Sequence, residues 1–201
     1  MISERGMVHS SFSFKHMESS TLLPSARHFA RVGKPAPSFH LPALLADGSF
    51  GHVSLDQYRG LWLVLFFYPL DFTFVCPTEI TGFAKHVADF DALNTKVLGG
   101  STDSEHSHKA WLKELGSLPF PLFSDKTRTL SEDYGVLIED EGIALRGTFI
   151  VDPDGILRYA LYHDKGVGRS VDETLRVLKA LQTGELCPMD WHAGEKTLGK
   201  T

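Results

Sequence analysis

The sequence LWLVLFFYPLDFTFVCPTE, residues 61–79, decides the fold of this chain. Its first eight residues form an almost continuous apolar run that ends at Pro69, a pattern typical of a β-strand buried on both faces. Pro77 suits the first turn of a helix, where no amide donor is needed. Cys76 is therefore predicted to lie between a buried strand and the start of a helix.

Strands and helices alternate on both sides of this stretch. The predicted elements are a turn at Asp47-Gly48, helices at 77–92 and 105–115, strands at 96–101 and 120–124, and an antiparallel hairpin of 148–152 with 156–163. Ser170 to Glu173 has the pattern of a capping box that opens a last helix, and Gly184 lies where that helix should end. The alternation predicts an α/β fold with a mixed central sheet flanked by helices.

Composition limits the functions that this chain can have. With 201 residues and 42% hydrophobic residues, the chain can bury the core of one ordinary domain, which excludes a disordered protein. Its net charge of -5 offers no basic surface for nucleic acid or an anionic membrane. No apolar run reaches the roughly 20 residues that span a bilayer. The two cysteines form no C-x-x-C pair, which excludes a zinc ribbon or an adjacent redox dithiol.

Residues 1–31 differ from the rest because they are rich in serine and arginine. We expect them to form a disordered extension, followed by a single domain at 32–201. An organelle transit peptide, or a start at Met17, is the alternative explanation of this composition. We expect the mature protein to be cytoplasmic.

Cys76 has two possible roles when only its position is considered. A thiol at the start of a helix lies near unpaired backbone N–H groups and the positive end of the helix dipole, which favours the nucleophilic thiolate. An isolated cysteine can equally be a small buried hydrophobe. Position alone leaves both roles open.

The residues around Cys76 resemble the active-site loop of the peroxiredoxins. Pro69, Thr73 and Cys76 form the pattern P-x-x-x-T-x-x-C within residues 68–79. Further similar segments are 101–104, 108–111, 123–126, 146–152 and 167–175. The segment 184–188, with Trp191 and Gly194, is similar to the resolving-cysteine segment of the typical 2-Cys class. The resemblance extends from Val32 to the C-terminus.

The resemblance implies a thioredoxin-like fold and a thiol peroxidase that reduces hydrogen peroxide and small organic hydroperoxides. It implies these roles: Cys76 is the peroxidatic thiolate, Thr73 offers its hydroxyl to the sulfur or the peroxide, Pro69 shields the pocket, Arg146 is the active-site arginine, and Glu79 and Arg169 orient Arg146 and balance its charge. A permanently charged fork of donors suits Arg146 to this role. The alternative for Arg146 is a surface ion pair with the acidic residues at 139–141.

The resemblance also implies that Cys187 is the resolving cysteine. In the typical 2-Cys class this cysteine comes from the partner subunit, so the resemblance implies a homodimer, assembled into a ring such as a decamer. Thioredoxin or a flavoprotein disulfide reductase would reduce the disulfide, and the chain would need no cofactor of its own. A transient catalytic disulfide suits a reducing compartment. The alternative is that Cys187 is a spare surface thiol.

The sequence departs from the peroxide-sensitive members of that class. Residues 113–120 read KELGSLPF where those members carry a G-G-L-G insertion, and the chain ends in LGKT without their Tyr-Phe helix. We therefore predict relative resistance to overoxidation, because Cys187 can capture the sulfenic acid before a second peroxide reacts. Two other functions stay open for the same thiols: a redox-switched holdase chaperone and a peroxide sensor that relays its disulfide.

The ten histidines do not predict a metal centre. His106 and His108 form an H-x-H pair, but no cysteine or carboxylate cluster accompanies them at ligand spacing. We expect the histidines to be solvated or lightly packed.

Overall fold

A computed structural model describes residues 29–200 of the chain. Its elements are β1 (His40–Leu44), β2 (Phe50–Ser54), β3 (Trp62–Phe67), α1 (Cys76–Lys85), α2 (Val87–Ala92), β4 (Thr95–Ser101), α3 (Glu105–Leu115), β5 (Leu122–Ser124), α4 (Thr129–Asp133), β6 (Leu137–Ile138), β7 (Ile143–Ala144), β8 (Arg146–Val151), β9 (Leu157–His163) and α5 (Val171–Thr183). Most of the predicted N-terminal extension, residues 1–28, lies outside the described residues. The described part contains no helix that is both long and apolar enough to cross a membrane.

The main sheet has seven strands in the order β2-β1-β5-β4-β3-β8-β9. The strands β3, β4 and β5 are parallel to one another, whereas the other neighbours pair antiparallel. The turn predicted at Asp47-Gly48 connects β1 to β2, and the predicted hairpin of 148–152 with 156–163 is β8–β9, which turns at Asp154-Gly155. The mixed α/β sheet predicted from the sequence is confirmed.

Strand β3 is buried because the sheet is covered on both faces. Its side chains alternate between two apolar clusters, with Leu63, Leu65 and Phe67 in one and Val64 and Phe66 in the other. Helices α1, α2, α3 and α5 contribute to the second cluster, and α4 to the first. Since successive side chains of a strand point to opposite faces, a continuous apolar run is what this two-sided packing requires.

The helix predicted at 77–92 is two helices, and this prediction of a single helix was wrong. At His86 the backbone leaves the helical conformation (φ −103°, ψ 10°), and its amide donates to the carbonyl oxygen of Phe83 at 3.2 Å. The His86 ring then pairs with Asp89 in the first turn of α2 at 2.8 Å. Phe83 on α1 and Phe90 on α2 are buried in the same cluster.

Helix α5 begins and ends where the sequence predicts, but only half of the capping box forms. The Ser170 hydroxyl accepts from the amide of Glu173 at 3.0 Å. The Glu173 carboxylate pairs with Arg176, at 2.6 and 2.8 Å, instead of capping the helix. Gly184 ends the helix in the left-handed region, at φ 63°.

The chain after α5 folds back onto that helix. The amide of Leu186 donates to the carbonyl oxygen of Gly199 at 2.9 Å, and the amide of Leu198 donates to Leu186 at 2.8 Å. Trp191 is buried, and its carbonyl oxygen accepts from Arg176. This segment therefore packs as part of the domain.

Candidate active site

Cys76 is the first residue of α1, and its side chain is fully buried. The preceding residue, Val75, already has a helical backbone, and its carbonyl oxygen accepts from the amide of Thr78 at 3.1 Å. Pro77 occupies the first turn, as predicted. The sulfur therefore lies at the amino end of a ten-residue helix, where the helix dipole stabilises negative charge.

Arg146, the first residue of β8, lies beside this sulfur. Its Nη1 is 3.4 Å from Cys76 Sγ and 2.6 Å from Glu79 Oε2, and its Nε donates to the carbonyl oxygen of Lys165 at 2.8 Å. The side chain is 3% exposed, so the alternative of a surface ion pair is wrong. The acidic residue nearby in sequence, Glu141, pairs with the Lys165 side chain.

Glu79, one turn after Cys76 on α1, accepts hydrogen bonds from two arginines, Arg146 and Arg169. Arg169 donates from Nε and from its backbone amide to Glu79 Oε1, both at 2.8 Å, and from Nη2 to Oε2 at 2.9 Å. Arg169 also donates to the carbonyl oxygen of Gly147 and to Thr148 Oγ1, which fixes it to β8. The bidentate pair is almost fully buried.

The charges of Glu79, Arg146 and Arg169 do not balance one another. Burial acts to raise the pKa of Glu79, but hydrogen bonds from Arg169 and the positive charges of both arginines outweigh it and lower the pKa. Two guanidinium groups then face one carboxylate, and the cluster carries one net positive charge. A thiolate on Cys76 neutralises that charge, since Arg146 contacts both the sulfur and the carboxylate.

Thr73 and Pro69 lie on the loop between β3 and α1. The Thr73 hydroxyl donates to the carbonyl oxygen of Leu70 at 3.0 Å, so its oxygen is left to accept a hydrogen bond from a ligand. Pro69 is buried directly after β3.

Cys187 is not part of this cluster. Its sulfur lies at the carboxyl end of α5, 3.6 Å from Thr183 Oγ1 and 3.8 Å from the carbonyl oxygens of Ala180 and Glu185. Both cysteines are free thiols, Cys76 buried and Cys187 partly exposed. The structure thus brings together Cys76, Glu79, Arg146 and Arg169, and places Cys187 elsewhere.

A second buried group, not predicted from the sequence, lies beside the loop. His108 is fully buried and contacts the Asp71 carboxylate at 2.8 Å, so the expectation of a solvated or lightly packed histidine was wrong for this residue. A signal was present in the sequence: His108 lies three residues before Trp111, hence on the same apolar face of α3.

Comparison with known proteins agrees with this geometry. Residues 32–160 match the model of the AhpC/TSA family. Peroxiredoxin-2 of Bos taurus is 54% identical over 179 residues, which is 84% of this chain and 89% of that protein. Peroxiredoxin-1 of Gallus gallus is 49% identical over 179 residues, 84% of this chain and 90% of that protein.

Two solved structures extend the agreement to the fold. The reduced 2-Cys peroxiredoxin of Plasmodium vivax superimposes with a TM-score of 0.81 at 41% identity, covering 83% of this chain and 91% of that one. AhpC of Mycobacterium bovis superimposes with a TM-score of 0.73 at 42% identity, covering 82% of this chain and 99% of that one. The thioredoxin-like fold is confirmed. The chain therefore belongs to the AhpC/TSA family, as a peroxiredoxin of the typical 2-Cys class with peroxidase activity.

Proposed function

We propose that this chain reduces hydrogen peroxide and small organic hydroperoxides at Cys76. The thiolate attacks one peroxide oxygen, a sulfur–oxygen bond forms, the O–O bond breaks, and water or an alcohol leaves after taking up a proton. The observation that carries this proposal is the 3.4 Å contact between Arg146 Nη1 and Cys76 Sγ. A guanidinium so placed stabilises the thiolate and the charge that develops on the leaving oxygen.

The neighbouring residues have supporting roles in this proposal. Glu79 and Arg169 hold Arg146 against the sulfur through buried, charge-assisted hydrogen bonds. The Thr73 oxygen accepts a hydrogen bond from the peroxide, because its own proton is directed to Leu70. Pro69 excludes water from the floor of the site.

The second step is condensation of the Cys76 sulfenic acid with the Cys187 thiol, which forms a disulfide and releases water. We propose that the two thiols come from different subunits of a homodimer. Strand β9 supports this, since it is the last strand in the sheet order and no strand of the described residues covers its outer edge. An open cavity of about 510 Å³ beside Cys187 offers room for the partner's loop.

Assembly and recycling complete the cycle. Phe74 on the active-site loop is 97% exposed and Phe72 is 54% exposed, and we propose that this apolar pair packs between dimers in a ring.

Thioredoxin or a flavoprotein disulfide reductase reduces the disulfide by thiol–disulfide exchange. Reduction by such a donor fits a cytoplasmic location.

A non-reducing denaturing gel after one equivalent of hydrogen peroxide tests the proposal. The wild type should form a dimer that a dithiol reverses, whereas Cys76→Ser and Cys187→Ser should both stay monomeric. Mass spectrometry should find sulfenic acid on Cys76 only in the Cys187→Ser variant, since there no thiol consumes it. Persistence of both free thiols in the wild type contradicts the proposal, and a monomer without free thiols contradicts the intersubunit disulfide.

A further inference from the structure

A buried network fixes the loop between β3 and α1 at Asp71. The Asp71 carboxylate accepts from the hydroxyl of Tyr68 at 2.8 Å and contacts His108 Nδ1 at 2.8 and 3.1 Å. The Asp71 amide donates to Asp103 Oδ2 at 2.9 Å. We call these four residues the Asp71 clamp. It joins the loop to β3, to the segment after β4 and to α3.

The hydrogen bonds of His108 define its charge. Its Nδ1 faces a carboxylate, and its Nε2 lies 2.9 Å from the carbonyl oxygen of Phe123 on β5. A carbonyl oxygen and an ionised carboxylate can only accept hydrogen bonds, so beside them a neutral imidazole would turn one bare nitrogen against an acceptor. With the His108 side chain fully buried and Asp71 at 1% exposure, no bulk solvent relieves such a conflict. The contacts at both nitrogens are satisfied when His108 forms an ion pair with the Asp71 carboxylate, and it is this pairing on which the proposal below is built.

The residues that follow Asp71 in the chain are not held by the clamp. Phe72 follows with φ at 55°, in the left-handed region that disfavours a bulky side chain, and its ring is more than half exposed. Phe74 is almost fully exposed. Between the clamp and the first residue of α1, the loop 72–75 thus has little burial within its own chain to hold it. Weakly packed segments of this kind open at low free-energy cost.

We propose that His108 is a positioning residue for Cys76. By holding Asp71 as an ion pair, it keeps loop 72–75 in the conformation that buries the sulfur beside Arg146. A weakened clamp shifts the loop toward conformations in which Cys76 leaves Arg146 and becomes accessible to a second thiol. This inference rests on the proposed function and deepens it. The clamp controls the position of Cys76, which must first react beside Arg146 and then move to a second thiol.

The clamp therefore makes the two chemical steps respond in opposite directions. In His108→Asn, the amide group can still donate to Asp71, but the positive charge and the bond to Phe123 are lost. We expect the reaction of Cys76 with hydrogen peroxide to slow roughly tenfold, and disulfide formation to accelerate severalfold. Trp111 provides the signal for stopped-flow fluorescence, because its ring lies 5.7 Å from Phe72 and 6.1 Å from Tyr68.

His106→Asn is the matched control. His106 lies on the same helix with its side chain 71% exposed, and we expect both rates to keep their wild-type values. Tyr68→Phe is the second variant, in case His108→Asn does not fold. It removes one hydrogen bond to Asp71 and keeps the ion pair, so both rates should shift in the same directions by about two- to threefold. A merely structural role predicts that both rates change together or stay unchanged, and that result overturns the proposal.

A spectroscopic measurement tests the charge without relying on activity. The reduced wild-type protein at neutral pH should show two protonated ring nitrogens for His108 in a proton–nitrogen correlation spectrum, assigned by their loss in His108→Asn. A single protonated nitrogen overturns the proposal. Failure of the wild type to react with peroxide would contradict the proposed function instead, so the two failures are distinguishable.

Discussion

Arg146 Nη1 lies 3.4 Å from Cys76 Sγ, although the two residues are 70 positions apart in the sequence. The contact exists because β3 and β8 are antiparallel neighbours, so that β8 begins where β3 ends and α1 follows. Glu79 then receives the same Nη1 at 2.6 Å and fixes the guanidinium between the carboxylate and the sulfur.

Replacement of Arg146 should slow the oxidation of Cys76. Arg146→Met removes the only charged donor that contacts the sulfur among the described residues, and we expect the second-order rate constant for hydrogen peroxide to fall about 100-fold or more. Arg146→Lys keeps a charge but loses the planar fork, and should cost about tenfold. Competition kinetics against a reference thiol peroxidase measures both values.

Arg158→Lys is the control for these variants, since Arg158 on β9 pairs with Asp152, which directly follows β8, and its side chain is 48% exposed. Its rate constant should be unchanged. An Arg146→Met rate constant within a factor of about two of the wild type would contradict the assigned role.

Glu79 should contribute to acid stability. Its pKa is lower in the folded protein than its ordinary value of 4.5, because burial, which raises the pKa, is outweighed by hydrogen bonds and charge from Arg169 and by the charge of Arg146. Such a carboxyl stabilises the fold fully above its unfolded pKa, and this contribution is lost as pH falls through the lower folded pKa. In Glu79→Gln the free energy of unfolding should therefore decrease less steeply between about pH 5 and pH 3.

Urea denaturation across this pH range measures the slope, with exposed Glu114→Gln as the control. Equal slopes in the wild type and in Glu79→Gln would be incompatible with an ionised, arginine-bound Glu79.

The wild type should resist overoxidation, whereas Cys187→Ser should not. Without Cys187 the sulfenic acid on Cys76 has no thiol to condense with, so a second peroxide converts it to the sulfinic acid. Mass spectrometry of the tryptic peptide that contains Cys76, at a modest peroxide excess, should find mostly disulfide in the wild type. Abundant sulfinate in the wild type would refute the predicted resistance.

Gly100→Ala should destabilise the fold strongly. A Cβ atom there would lie 2.4 Å from the backbone oxygen of Phe123 on β5, which cannot move without breaking the β4–β5 pairing. We expect the free energy of unfolding to fall by about 2–3 kcal/mol. Gly166→Ala is the control, since nothing lies within 4 Å of its added Cβ. Urea denaturation of both variants decides the matter, and equal midpoints would contradict the packing described for β4.

Local patterns in the sequence predict those parts of the fold that depend on local chemistry. The apolar run before Pro69 predicts β3, and Asp154-Gly155 predicts the β8–β9 hairpin. The break at His86 was not predictable in this way, because the apolar spacing of 77–92 is compatible with one continuous helix.

The candidate site likewise has features that the sequence predicts and features that depend on the tertiary structure. The segment 68–79 and its resemblance to peroxiredoxins indicated Cys76, Thr73 and Glu79 from adjacent residues, and a second matching segment indicated Arg146. Their proximity in space, as well as the buried state of His108, depends on which strands are neighbours and which helix faces are covered. The catalytic roles of these residues, and that of Cys187, stay predictions that the experiments above test.

The sequence by itself determined the family, the buried strand and the cysteine at the start of a helix, because each depends on residues that are close along the chain. The tertiary structure alone decided the charge balance around Glu79 and the pairing of Asp71 with His108. Both involve groups that are far apart in the sequence: Glu79 and Arg146 are 67 positions apart, and Asp71 and His108 are 37 positions apart. These interactions are strong because water is excluded from them. Water is excluded only after the sheet and its helices have packed.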